Sequence, residues 1–254
     1  MSGKSRNFSF VFAILVALIA AIGLFGNGQY PARASDEQQA HTGPALIELF
    51  TSQGCPACPP ADLLAHVLDG EGNVIVISRP VTYWDRRGWK DTLAREENTE
   101  LQQAYAIRGL GGYNGIYTPQ MVVDGRFGVV GSMEADVRNS VKQRSIQSAA
   151  IRTRRLANGD VLVGLGGKTQ QEAELMLVAI SQAERVGIGS GSNGGRNLTY
   201  TNVLRDEAVV ARWSGGKMAI TINKEKMQAD GANRFALILR EPNGGPVLAS
   251  AWIS

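Results

Sequence analysis

Cys55 and Cys58 are the only cysteines in this chain, and they stand two residues apart in LFTSQGCPACPPADLL, Leu49 to Leu64. Two thiols at that spacing can act in sequence. One attacks a disulfide as a thiolate, and the other resolves the mixed disulfide that results. A C-x-x-C loop is too short to staple distant parts of a fold, because the entropic gain of a disulfide grows with the loop it closes. Zinc is poorly served as well. A structural site takes four ligands, and the chain has just two histidines, His41 and His66, neither in a second C-x-x-C-like pair. Thiol–disulfide exchange is the expected chemistry, with a permanently closed disulfide of no function as the alternative.

The flanking pattern supplies the elements that must position the pair. PALIELF, Pro44 to Phe50, is an apolar run broken by Thr51 to Gly54, which predicts a buried strand. After the cysteines, Leu63, Leu64, Val67 and Leu68 recur at helical spacing until Gly70 and Gly72. Cys55 is therefore expected where a strand has ended and a helix begins. There, unpaired N–H groups and the helix dipole lower a thiol pKa. Pro56 and Pro59 suit the first helical turn, where a missing N–H costs little. Cys55 is the expected nucleophile and Cys58 the resolving thiol.

The N-terminus speaks to the compartment. Lys4 and Arg6 precede a 16-residue apolar run from Phe10 to Phe25, and Ala32 and Ala34 stand as small residues of a cleavage site. Charge, apolar run and A-x-A make a secretory signal, cleaved after Ala34. The run is shorter than the roughly 20 residues that span a bilayer. An uncleaved anchor, the alternative, would leave the same domain facing the same side. The expected location is periplasmic or secreted, with no membrane contact after cleavage. A composition of 44% hydrophobic and 19% charged residues leaves material for a core, and a net charge of +3 without long basic runs excludes nucleic acid as an expected partner.

Further along, NVIVISRPV predicts a second central strand, and residues 91–109 a helix. TPQMVVDGRFGVVG predicts two strands about an Asp124-Gly125 turn, followed by a helix with Ser132 as its cap. Alternating strands and helices to about residue 148 imply a mostly parallel sheet. From Ala149 the helical signals fade. A hairpin about Asn158-Gly159 and six further apolar segments predict an all-β, sandwich-like region. The expected organisation is a signal (1–34), a linker (35–43), an α/β domain (44–148) and a β-rich domain (149–254).

Sixty residues beyond the cysteines, Thr118-Pro119 stands directly before a strand, a place that tolerates proline's missing donor. Cys-Pro-Ala-Cys at a strand-to-helix junction and Thr-Pro before QMVVDG together resemble the thioredoxin fold. More narrowly, LIELFTSQGCPACPPAD, VTYWDRRGWKDTLA, YTPQMVVDGR and GGRNLTYTNVLR resemble a family of secreted bacterial proteins known as a domain of unknown function, thioredoxin-like with a β-rich domain after it. That resemblance implies a cis bond at Pro119 facing Cys55, a catalytic set of Cys55, Cys58 and Pro119, and a Thr118 backbone that pairs with substrate. It also implies partners of one kind, cysteine-containing exported proteins or a redox partner protein. No cofactor or metal is expected.

Tyr83, Trp84 and Asp85, with Trp89, follow the second strand at the sheet edge where α/β proteins build sites. Tyr83 and Trp84 are candidate walls of the substrate groove. Asp85 and Glu48 are candidate proton carriers for Cys58. The glycine-rich stretches 109–115 and 187–197 lack the strand, helix and lysine of a phosphate loop, and the second is expected to be a mobile connection. The competing functional class is a binding or structural module, in which the β-rich domain recognises a partner and the cysteine pair is vestigial or regulatory.

Overall fold

The structure is a computed structural model and describes residues 43–144 and 146–253. The segment read as a secretory signal, and His41, lie outside the described residues. No described helix is long and apolar enough to cross a membrane.

β1 (Ala45–Thr51) is buried along its whole length. Such a strand must be covered on both faces, which is why it reads as a continuous apolar run. Ala45, Ile47 and Leu49 meet Leu64, Ala65 and Leu68 of α1 (Pro59–Asp69). Leu46 and Phe50 enter two clusters on the other face. β2 (Val74–Pro80) runs parallel to β1 on one side. β3 (Gln120–Val123) runs antiparallel on the other, with Phe50 opposite Gln120. Asp124 and Gly125 turn the chain at φ of 48° and 62° into β4 (Phe127–Val130). Between these strands lie α2 (Glu96–Tyr105) and, after β4, α3 (Glu134–Gln143). Ser132 does not cap α3. Met133 occupies the cap position, without a side-chain hydrogen bond.

The sheet does not stop at Ser148. It has eight strands in the order β11-β10-β7-β8-β2-β1-β3-β4. The added strands are β7 (Ala173–Gly187), β8 (Asn197–Trp213), β10 (Arg234–Arg240) and β11 (Val247–Trp252). Two segments expected as separate strands, NLTYTNVL and AVVARW, are one long β8 whose pairing with β7 shifts register twice. β2 and β8 pair in parallel at Ser78 and Val203, and the remaining new pairs are antiparallel. The sheet is therefore mixed rather than mostly parallel. Only β5 (Ala149–Arg155), β6 (Val161–Gly167) and β9 (Met218–Ile222) form a separate three-stranded sheet. Val161, Val163 and Leu165 of that sheet pack on Leu175, Leu177, Leu237 and Leu239. Sandwich packing is thus confined to the small sheet and the strands beneath it.

Polar groups stitch the late strands to the early helix. Asn202, at φ 51°, donates to Asp69 Oδ1 at 2.7 Å and to the Val76 carbonyl at 3.0 Å. Arg234 reaches the same Asp69 carboxylate at 2.9 Å and lies 3.5 Å over the Trp252 ring. The protein is a mixed α/β structure with one large sheet and, among the described residues, three α-helices.

Candidate functional site

The chain leaves β1 at Thr51 and makes two successive turns before α1. Cys55 N–H donates to the Ser52 carbonyl at 3.1 Å, and Cys58 N–H to the Cys55 carbonyl at 3.3 Å. These turns bring the two Cα atoms to 5.4 Å, and the cysteines are joined in a disulfide. Cys58, not Cys55, is the residue at the helix boundary, with φ −79° and ψ −34°. Pro59 and Pro60 open the helix, and Pro56 lies in the turn ahead of it. The first helical donors, Ala61 and Asp62 N–H, both go to the Cys58 carbonyl, at 2.8 and 3.1 Å. With prolines in the first two positions, the helix end offers the sulfurs fewer free N–H groups than its location suggested.

The β1–β3 register carries Pro119 next to Thr51, at the sheet end from which the cysteine turn departs. The Thr118–Pro119 bond is cis. Trp84 joins the two segments. Its indole N–H donates to Thr118 Oγ1 at 2.7 Å, and its Cβ lies 3.5 Å from where a Cβ on Gly54 would stand. Tyr83 donates to Gln102 Oε1 at 3.3 Å, and Gln102 in turn donates to Gln120 Oε1 at 2.8 Å. The cysteine turn, Trp84, Thr118 and Pro119 therefore gather at one end of the sheet.

Neither expected proton carrier is placed for that role. Asp85 Oδ1 accepts the Asp91 N–H at 3.0 Å, and it is Asp91 whose Oδ2 accepts the Gln53 N–H at 2.7 Å. Asp85 thus acts on the backbone one step away from the cysteine turn. Glu48, fully buried, is committed to a cluster of charges. Arg79 donates to it at 2.8 Å, Arg240 at 3.3 Å to each oxygen, and the Tyr105 hydroxyl also donates. Arg79 also forks onto both oxygens of Glu207, at 2.9 and 2.7 Å. Burial alone would raise the pKa of Glu48, but Arg240 and Arg79 outweigh it and hold the carboxyl below its ordinary range. Glu207 is held low for the same reasons.

The acid beside the pair is Asp62, one helical turn after Cys58 and so on the same helix face. It is 4% exposed. Thr51 Oγ1 donates to its Oδ1 at 2.7 Å, and its Oδ2 has no partner. Burial, with the Asp91 charge nearby, pushes its pKa up to about 7. Tyr200 on β8 is buried with an unpartnered hydroxyl and feels both Asp62 and Asp91. Asp62 also lines an open groove of about 400 Å³ with Pro59, Leu63, His66 and Arg196. In the sequence Asp62 looks like any acid in a first helical turn.

The β7–β8 connection, expected to be mobile, is seated against the cysteine turn. Asn193, 1% exposed, donates to the carbonyls of Gln53 and Cys55, each at 2.9 Å. Both cysteines are completely buried, and only Pro56 and Ala57 of the turn are exposed. Among the described residues no group of acidic, histidine and cysteine side chains could hold a metal ion.

A crystal structure of a protein from Agrobacterium tumefaciens is similar to this chain, with a TM-score of 0.70, 26% identity and coverage of 82% of this chain and 93% of its own. HBP35 of Porphyromonas gingivalis is similar in fold alone, with a TM-score of 0.55, 13% identity, and coverage of 84% of this chain and 75% of its own. No curated protein matches the chain. The model of the family described as "Protein of unknown function (DUF1223)" matches residues 46–240. That match runs from β1 to the last residue of β10, taking in the cysteine turn, Thr118-Pro119 and the Asn193 segment, and the chain belongs to this family.

Proposed function

We propose that the protein is an exported thiol–disulfide oxidoreductase of thioredoxin-like type. The observation that carries this reading is the closed Cys55–Cys58 pair between β1 and α1, at the sheet end that also holds Thr118 and Pro119. In the reducing direction, the Cys55 thiolate attacks one sulfur of a substrate disulfide, and the other sulfur leaves as a thiolate. Cys58 then gives its proton to the Asp62 carboxylate. The Cys58 thiolate attacks Cys55 Sγ, closes the pair and expels the second substrate thiolate. Two electrons pass to the substrate, and the reverse sequence oxidises a dithiol. Asp62 replaces Asp85 and Glu48 as the proton carrier, because it is buried, has an unpartnered oxygen and follows Cys58 by one turn. Trp84 and Thr118 form the wall that an extended substrate segment meets.

Trapping tests this reading. Cys58→Ser should accumulate mixed disulfides with cysteine-containing exported proteins through Cys55, and Cys55→Ser should accumulate none. In the reduced wild type, Cys55 should alkylate at a pH below that of a free cysteine. Equal, sluggish alkylation of both thiols together with an empty trap would sink the proposal. The burial of both cysteines favours a second reading, a binding module with a sealed structural disulfide. That reading predicts an empty trap and a Cys55→Ser variant with unchanged function in cells.

A further inference from the structure

A disulfide that exchanges with partners has to be reached, yet both cysteines are completely buried. The segment Ile188–Arg196 meets the cysteine turn, where Asn193 donates to the Gln53 and Cys55 carbonyls. It is a formed unit: Ile188 N–H donates to the Arg196 carbonyl at 2.9 Å, Gly195 N–H to the Ile188 carbonyl at 2.7 Å, and Gly194 N–H to the Gly191 carbonyl at 3.1 Å. Two of its four glycines, Gly189 and Gly191, serve close approach to the seat. A Cβ on Gly189 would stand 2.9 Å from the Trp89 ring, and one on Gly191 3.3 Å from Trp89 Cβ with φ at +76°. Trp89 is itself tied to the turn, its indole donating to Gln53 Oε1 at 2.8 Å.

Few bonds hold this unit to its seat. Among the described residues, its side chains reach the cysteine turn and the Trp89 loop through three hydrogen bonds. Asn193 supplies two, to Gln53 and Cys55, and Ser190 Oγ donates the third to the Gly88 carbonyl at 2.6 Å. Among the described residues, no ion pair joins it to the seat. Arg196 instead donates to Asn193 Oδ1 at 2.9 Å, within the unit, which fixes the amide orientation. Internally bonded segments with few outside bonds open as units.

We propose that Ile188–Arg196 is a latch over the redox pair, with Asn193 as its catch, and that it keeps the disulfide from small thiols until a partner lifts it. The proposal rests on the redox reading for its purpose but not for its test. When dithiothreitol reduces the pair, its thiolate attacks Cys55 Sγ and Cys58 leaves as a thiolate. The second reagent thiol then closes its own ring and frees Cys55, so the reagent loses two electrons and the pair gains them. The rate of this step in the folded full chain reports how often the latch is open.

The experiment measures dithiothreitol reduction, by quenching and alkylation, in wild type, Asn193→Ala and Ser190→Ala. Urea unfolding of each variant establishes that it is folded. The wild-type disulfide should react at least about 100-fold more slowly in the folded chain than in the urea-unfolded chain. Asn193→Ala, which removes both side-chain hydrogen bonds to the cysteine turn, should raise the folded rate about tenfold, equivalent to about 1.4 kcal/mol. Ser190→Ala has no bond to the cysteine turn, yet should raise the rate by about threefold to fivefold, because it weakens the same unit. Reduction as fast in the folded chain as in urea would overturn the latch. So would acceleration by Asn193→Ala with none by Ser190→Ala, which would mean a local effect on the turn. A filled trap in Cys58→Ser with unchanged reduction rates defeats the latch alone, and an empty trap with accelerated rates defeats the enzyme alone.

Discussion

Glu48→Ala should destabilise the protein by about 3–5 kcal/mol, the usual result of removing one partner from a buried charge cluster. Glu48 faces two guanidiniums, and its removal leaves Arg240, 6% exposed, with the Tyr105 hydroxyl as its remaining side-chain hydrogen-bond partner among the described residues. Arg79 would keep Glu207 and Asn98. The cluster joins β1, β2, α2, β8 and β10, so the loss reaches both halves of the large sheet. At about 2–4 °C per kcal/mol for a chain of this size, the melting temperature should fall by about 10 °C. Thermal unfolding followed by circular dichroism measures it, and a change below about 1 kcal/mol would show that the cluster is not needed for stability. The acid limb should change too. Glu48 and Glu207 are held below the ordinary carboxylate range, so their stabilisation is present above that range and is lost as pH falls through the folded values. Wild type should therefore lose stability in acid more steeply than Glu48→Ala.

Asp62→Asn should act on the opposite side of the pH scale. Burial raises this carboxyl from 3.8 to about 7, so the folded protein holds a proton that the unfolded chain has released. Wild-type stability should therefore fall as pH rises from about 4 to 7 and level off above that. The shift corresponds to on the order of 4 kcal/mol. An asparagine pays none of it and still accepts the Thr51 hydroxyl. Above pH 7, Asp62→Asn should be more stable than wild type in urea, and the difference should vanish near pH 4. The variant should also lose function. Without a base for the Cys58 proton, release of a mixed disulfide held on Cys55 should slow by about 100-fold at pH 7. A variant with a wild-type release rate and pH profile would remove Asp62 from the proton path. A variant whose stability tracks wild type across pH would show that Asp62 is ionised freely in the fold.

Local signals served well where the chemistry is local. An apolar run marked β1 and a β-branched one β2, helical spacing marked α1 through Leu64 and Leu68, and Asp124-Gly125 turned the chain as that dipeptide does. Strand partners were another matter. Residues 175–180 of β7 and 235–239 of β10 are apolar on both faces, and a strand buried on both sides carries no mark of which neighbour it takes. Residues after Ser148 therefore looked like a second domain, although β7, β8, β10 and β11 extend the first sheet.

The site divides along the same line. The sequence by itself determined that two thiols stand one turn apart between a strand and a helix, because that depends on a handful of adjacent residues and their backbone preferences. Tertiary structure alone decided which acid lies beside them, what covers them and what became of Glu48. Asp62 resembles a routine first-turn acid until Thr51 and Tyr200 enclose it. Asn193 resembles a residue of a loose glycine loop until, 138 positions from Cys55, it closes on that carbonyl. Glu48 resembles a proton carrier until Arg240, 192 positions away, claims it. Electrostatics and burial act through space, and over such separations nothing in the local sequence says which groups will meet.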